Sequence, residues 1–401
     1  MGQRKFRGDD TDKWLYGFGN AADADLTISG NTTDAPIDSA CAGSAGSNSL
    51  SATNAAFAPG QLVLIHQTRG TNVGEYELNK IAGYVAGTIT LQHLLQNTYV
   101  SSGASCAQVI VIKQNNNITI NGGVTLTTKA WNGTVGGITV LMAKGSVTVN
   151  GNINANGTTG GSSSSSPVAG ASNVGGFWGG NGYIGSTPRQ GDSGEGTANA
   201  RSAQYTPNGN GGGGGYISGG ATDAGGGGGN GGAGVTGGGY AAPSAPGQGG
   251  NVAGNAGLTL MVFGGGGGGA TKDSSGTTGA GGSGGGIVLI IAKSIVISGS
   301  IVTNGGNGGN AGSSNSGGGA GAGGSVLLKC QTATLGTNLI VASGGSGGTG
   351  GSYAGGNGGV GRIHLDYKDS YTGITNPTIN ATQDISLDYP KMGGLFLQEF
   401  I

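Results

Sequence analysis

Two stretches near the C-terminal end share one plan. Residues 285–306 and residues 323–345 each run from a glycine pair through an apolar segment, a polar break and a second apolar segment back to glycine. Their starts, Gly285 and Gly323, stand 38 positions apart. An earlier copy begins at Gly136, where Gly-Gly-Ile138 leads through Ala143-Lys144 to Ser146-Val-Thr-Val-Asn-Gly. A partial last copy covers residues 358–367. A strand–turn–strand unit that cannot bury its own apolar face predicts stacking of one unit on the next. Parallel stacking, as in a β-helix, is the natural solution. Residues 287–291 are apolar at every position, so both faces of that strand are to be buried. One face belongs to the core of the stack. For the other the expectation is a cover of packed glycine segments, the nearest material in the chain.

Glycine contributes 97 of 401 residues and proline 9, which excludes a collagen-like or proline-rich chain. Fixing each glycine costs about 0.5–1 kcal/mol more than fixing alanine. The buried apolar side chains, at roughly 1.5–3 kcal/mol each, are what offsets it. Every ordered glycine also needs partners for its N–H and C=O groups. The runs at residues 211–215, 225–229 and 264–269 meet that need as polyglycine II, extended helices bonded side by side. They lie in a long insertion, residues 157–284, between two units of the stack. With 17 basic and 18 acidic residues the net charge is −1, which argues against a nucleic-acid partner.

Residues 36–135 have ordinary composition and short β-branched runs separated by turn residues, among them Gln61-Leu-Val-Leu-Ile-His66, Gly87-Thr-Ile-Thr-Leu91 and Ala107-Gln-Val-Ile-Val-Ile112. This pattern predicts a small all-β barrel or sandwich. Residues 75–81 read as a strand or as one turn of helix. The whole is thus all-β: a small N-terminal β-barrel or sandwich followed by a parallel β-helix-like stack, residues 136–367, with packed glycine-rich segments. Residues 1–35 form an N-terminal arm with aromatic anchors Trp14, Tyr16 and Phe18, fit to dock on a neighbouring subunit or to cap the next domain. The tail, residues 368–401, ends in an apolar segment with Phe400 and Ile401, a second candidate attachment point. No run reaches transmembrane length and no secretory signal follows the basic start. Cys41 and Cys106 are a possible pair; Cys330, in an apolar run, reads as a buried thiol.

No catalytic constellation stands out. GxGxxG matches in glycine blocks mean nothing without a βαβ context, and no phosphate-binding GxxxxGK[ST] occurs. The three histidines, His66, His93 and His364, flank apolar strand residues and read as core or strand-surface positions. Acids are scattered at Asp192, Glu195, Asp223, Asp273 and Asp366; the near pair, Asp192 and Glu195, reads as a solvated loop. No metal or cofactor is expected. Trp178, Tyr183, Tyr216 and Tyr240 stand between glycine blocks, either as flat receptor-binding faces or as lids over glycine layers.

Residues 57–67 with Gly87-Thr-Ile-Thr-Leu91, Ala130-Trp-Asn-Gly133, Gly136-Gly-Ile138 and the glycines of 264–269 resemble a family of glycine-rich surface proteins of bacteria and of phage structural proteins. The resemblance covers residues 55–370. The glycine blocks are also similar to the polyglycine II tips of T-even-type phage adhesins. The resemblance implies extracellular binding or structure rather than catalysis: a phage tail-fibre or tail-tip adhesin, with other virion subunits and a host glycan or outer-membrane protein as partners, homo-oligomeric and without membrane insertion. The alternatives are a bacterial surface-filament or adhesin subunit, a β-helical glycan depolymerase, and an ice-binding protein, which would need a flat threonine face.

Overall fold

The computed structural model describes residues 16–165, 170, 175–184, 189–217, 222–240, 244–272 and 276–387, and all regular structure among them is β. Trp14, Phe400, Ile401 and Asp273 lie outside the described residues.

Six antiparallel strands close a barrel in the order Asp38–Ala42, Ser49–Ala52, Thr88–Leu91, Tyr76–Val85, Leu62–Arg69, Cys106–Ile112. Residues 76–81 of the 75–81 segment therefore resolve as strand. Side chains alternate along each strand. Leu50, Val63, Ile65, Ile81, Ile89 and Val109 fill the interior. Leu62, Leu64, Leu78, Ile110 and Ile112 point outward and are buried all the same. Cys41 packs inside the barrel and Cys106 in the outer cluster, so they face opposite sides of the wall. That possible pair does not form, and all three cysteines are free buried thiols.

The repeat units stack in parallel as read. Ile138 pairs with Ile287, Ile287 with Ser325, and Ser325 with Arg362. After each first strand the chain turns through a second and a third, so that Val147, Ile295 and Ala333 form one ladder and Ile153 and Ile301 another. Val288, Ile290, Val326, Leu328, Ile363 and Leu365 point into the enclosed core with these ladders.

Two boundaries differ from expectation. Leu26–Ile28 pairs with Ile118–Ile120, and Thr32–Thr33 with residues 126–127, so this part of the arm is the first coil of the stack. Tyr16 and Phe18 pack against the chain's own barrel and Met142, not outward toward a neighbouring subunit. At the other end, the strand Arg362–Asn376 runs past residue 367, Asn380–Gln383 adds alongside it, and Leu387 is buried. The tail up to that point belongs to the stack. Both additions are strand pairings to residues distant in sequence, for which local composition carries no signal.

The cover over the second face of residues 287–291 is also different from expectation. Ile287, Leu289 and Ile291 pack with Leu62, Leu64, Ile110 and Ile112 of the barrel's outer wall and with Trp131, Phe177 and Phe263. The cover is the barrel wall together with apolar side chains of the insertion, Phe177, Leu258, Met261 and Phe263, and not a glycine layer. The glycine segments instead extend the stack beyond its strand ends.

There the backbone follows a three-residue rule. Gly264 donates to Gly285 and Gly267 to Gly282; Gly265 donates to Gly229 and Gly268 to Gly226; Gly266 donates to Glu195 and Gly269 to Asp192. Successive N–H groups thus address three different neighbours in rotation, as packed three-residue-per-turn helices require. Residues 317–324 do the same, with donors to 353, 309 and 268 from Gly317, Gly318 and Gly319. A Cβ on Gly268 would lie 1.9 Å from the carbonyl oxygen of Gly213, and one on Gly267 2.1 Å from that of Gly319. The segments approach to backbone contact, and glycine is the residue that permits it.

Candidate functional site

The glycine bundle has a base and a distal end. Gly264 bonds Gly285, Gly267 bonds Gly282 and Ala270 bonds Gly279. Gly285 feeds the strand Ile287–Ile297, so the 264/285 level is the base. The 270/279 level is about 19 Å further out, at a rise of roughly 3.1 Å per residue.

Several tyrosines collect at the distal level. Tyr183–Ile184 pairs with Thr271–Lys272, and Tyr216–Ile217 with Arg189–Gln190. Thr271 donates to the carbonyl of Asp223, whose carboxylate Oδ1 accepts the amide of Tyr240 at 2.8 Å. Gly317, bonded beside Gly225, donates to the carbonyl of Tyr353. Tyr240 and Tyr353 meet edge to face at 5.4 Å, and Tyr205 and Tyr216 meet tilted at 6.2 Å. Tyr240 is 54 % and Tyr205 39 % exposed, whereas Tyr183, Tyr216 and Tyr353 are half-buried. Burial raises the Tyr183 phenol above its ordinary value and likewise raises the Asp192 and Asp223 carboxyls. Asp192 accepts from Asn181 Nδ2 at 2.8 Å. The distal end therefore offers aromatic faces and phenol hydroxyls, groups that stack on rings and apolar side chains while bonding polar ones.

Trp178, which shares the glycine-flanked pattern of these tyrosines, sits at the base. Its indole Nε1 donates to the carbonyl of Trp131 at 3.1 Å, and the Arg201 guanidinium lies 5.3 Å over its ring. It is a junction residue. Tyr205 and Tyr353 join the site without having been marked as candidates by sequence. Tyr353 carries the same signal as Tyr240, an aromatic flanked by glycine blocks.

Glu195, His66, His364 and Asp366 are buried and bonded within the fold. Glu195 is not a solvated loop residue: it is wholly buried, bonded to Arg69 of the barrel and accepting from Trp131 Nε1 at 2.9 Å. His66 is buried between Thr68 and the carbonyl of Met261. His364 bonds Asp366 at 2.9 Å and Asn380 at 2.7 Å, and Asp366 also holds Lys329 at 2.5 Å. The hydrogen bond from His364 and the Lys329 ammonium overcome the burial of Asp366 and hold its carboxyl below the usual range. His93 is exposed beside Tyr16. Among the described residues no group of three or more His, Cys, Asp or Glu side chains is placed to hold a metal ion, and no helix is long and apolar enough to cross a membrane.

No protein-family model and no curated protein matches this chain. Among solved structures, the tailspike protein gp49 from Pseudomonas phage LKA1 aligns with 89 % of this chain and 46 % of its own, at 8 % identity and a TM-score of 0.23. The Gp54 tailspike of Acinetobacter baumannii bacteriophage AP22, solved in complex with A. baumannii capsular saccharide, aligns with 90 % of this chain and 59 % of its own, at 10 % identity and a TM-score of 0.20. This chain spans about half the length of those tailspikes, 46 % and 59 %, and at such TM-scores neither likeness carries an argument about it.

Proposed function

We propose that this chain is a non-catalytic virion adhesin, a tail-fibre or tail-tip component that binds the host surface through the distal end of its glycine bundle. The observation that carries this reading is the gathering of Tyr183, Tyr205, Tyr216, Tyr240 and Tyr353, dispersed over 171 positions of sequence, at the end of the bundle farthest from the strand core. The bundle between is built largely of glycine and acts as a spacer. The barrel and stack are the anchoring part, with other virion subunits, including further copies of this chain, as partners there. The tyrosine faces suit a host glycan or an outer-membrane protein loop. The resemblance to glycine-rich surface and phage structural proteins points the same way.

The runner-up, a bacterial surface filament, shares the architecture and differs in the particle. Immunogold imaging with antibody against this chain decides between them: label on phage tails supports the proposal, and label on cell-surface filaments overturns it. Incubation with host polysaccharide tests the non-catalytic part. Release of reducing ends would make the chain a depolymerase.

A further inference from the structure

The strand stack is open at its first coil. A cleft of about 480 Å³ lies there, between the first coil, the barrel and the next strands of the stack. Its walls are Leu26, Ile28, Ile110, Ile118, Leu126 and Leu141, and no aromatic side chain lines it. Ile110, Ile118 and Leu126 are buried from solvent within the chain, so the cleft continues the apolar core instead of lying as a surface dent. The volume is within the range of small-ligand sites. Walls of branched aliphatic residues give a sugar or aromatic ring nothing to stack on and suit a flexible alkyl chain.

The polar lining groups are Thr32, Thr33, Asp34, Lys113 and Asn115, of which Thr32, Thr33 and Lys113 are exposed and Asn115 is buried. The Asp34 amide donates to the carbonyl of Thr127 at 2.7 Å, and the Asp34 carboxyl bonds the Thr139 side chain. Lys129, the nearby second cation, is held by both carboxylate oxygens of Asp38 at 2.7 and 2.8 Å. Asn115 gives its Nδ2 to the carbonyl of Ala24 at 2.9 Å. Lys113 is exposed, its ammonium is the cation among the lining residues, and it acts on the neighbouring Asp34 carboxyl as well as being open to an anion.

We propose that this cleft binds a single-chain aliphatic carboxylate, with the alkyl chain between the first coil and the barrel and the head group on Lys113. The site is separate from the distal tyrosines, and the proposal stands or falls independently of the adhesin reading. Asp34 sets its pH dependence. Burial raises the Asp34 carboxyl to about 6, with Asp38 adding to the rise and Lys113 and Lys129 opposing it. Below that pH the mouth loses a negative charge, and an anionic head binds more tightly.

The test is calorimetric titration of the full chain with sodium decanoate at neutral pH, with 1-decanol and vesicles of phosphatidylcholine with phosphatidylglycerol as separate arms. The expected results are saturable decanoate binding, at least about tenfold weaker binding by Lys113→Glu, and loss of binding in Val140→Phe, a half-buried wall position. Decanesulfonate, which stays charged, should bind more tightly at pH 5.5 than at pH 7.5, and Asp34→Asn should abolish that difference. Circular dichroism confirms that each variant is folded; if Val140→Phe is not, Ile37→Phe replaces it. Four results would overturn the proposal: no binding at about 1 mM decanoate, equal binding of decanol, binding to vesicles alone, or binding that appears only after deletion of residues 1–15, which would show that the chain's own N-terminus fills the cleft.

Discussion

Arg69, at the end of a barrel strand, is joined to Glu195, in the glycine bundle, by a buried ion pair. The other oxygen of Glu195 accepts from Trp131 Nε1 at 2.9 Å and from the amide of Trp178 at 3.1 Å, and Arg69 Nε donates to the carbonyl of Ala104 at 2.9 Å. A buried charge that is paired and fully bonded is tolerated; the same charge left alone is not. Glu195→Gln strands the Arg69 guanidinium and should destabilise the chain by about 3–5 kcal/mol in urea unfolding. The double variant Arg69→Met, Glu195→Gln should recover part of that loss, because neither charge is then uncompensated. Single variants within about 1 kcal/mol of wild type would show that the pair does not hold barrel to bundle.

His66 supplies a second fastening with a pH signature. Its Nε2 lies 2.9 Å from the carbonyl of Met261, which can only accept, so Nε2 carries the proton and Nδ1 accepts from Thr68 at 3.0 Å. The buried ring is neutral, and burial lowers its pKa to about 4. The unfolded chain binds this proton near pH 6.5, before the folded chain does. The contribution is therefore fully present above about pH 6.5 and lost as pH falls toward 4, by roughly 3 kcal/mol in all. Asp34 acts with the opposite sign, since a raised carboxyl favours the folded chain as pH falls below about 6. The measurement is accordingly the difference between wild type and His66→Gln, followed from pH 7.5 to 4.5. It should narrow as pH falls, and two parallel curves would contradict the assignment.

The bundle makes a steric prediction. Gly268→Ala places a methyl 1.9 Å from the Gly213 carbonyl oxygen, a backbone atom that cannot move without shifting its neighbours. The expected loss is about 3 kcal/mol or more. At Gly30 a methyl group would meet nothing within 4 Å, so Gly30→Ala should stay within about 1 kcal/mol of wild type, with a gain from reduced unfolded-state freedom. Equal effects at the two sites would mean that the glycine segments are not in backbone contact.

Much of this plan is legible in the chain. The copies at Ile138, Ile287 and Ser325 announce their own register, because parallel stacked units align like with like. The short β-branched run at residues 107–112 announces a barrel strand. What is not legible is which surface meets which. The run Leu62-Val-Leu-Ile and the run at residues 287–291 carry the same signal, apolar at every position, because each has one face in its own core and the other in a cluster shared between barrel, stack and insertion. Sequence marks each face as buried without naming its cover. Glu195 misleads for a related reason: an acid between glycines looks solvated until a cation 126 positions away is folded onto it. The distal site is half legible. Glycine-flanked aromatics mark the candidates, but their level along the bundle depends on hydrogen bonds between segments far apart in sequence.

That difference in level separates Trp178 from Tyr240. Both are aromatics between glycine blocks, yet Trp178 is half-buried at the base and bonded to Trp131, while Tyr240 is exposed at the distal end and touches Tyr353. Trp178→Ala removes packing at the junction and should cost about 2–3 kcal/mol of stability. It should leave host-cell binding by the folded protein unchanged. Tyr240→Ala gives up an edge-to-face contact worth about 0.5–1.5 kcal/mol and should lower the midpoint of unfolding only slightly. On the adhesin reading it should weaken binding to host cells at least about tenfold, in keeping with an aromatic near the centre of an interface. The measurement pairs thermal unfolding with binding of labelled protein to cells. If Tyr240→Ala and Tyr353→Ala bind as wild type does, the distal tyrosines are lids over the glycine layers, and the host contact lies elsewhere on the chain.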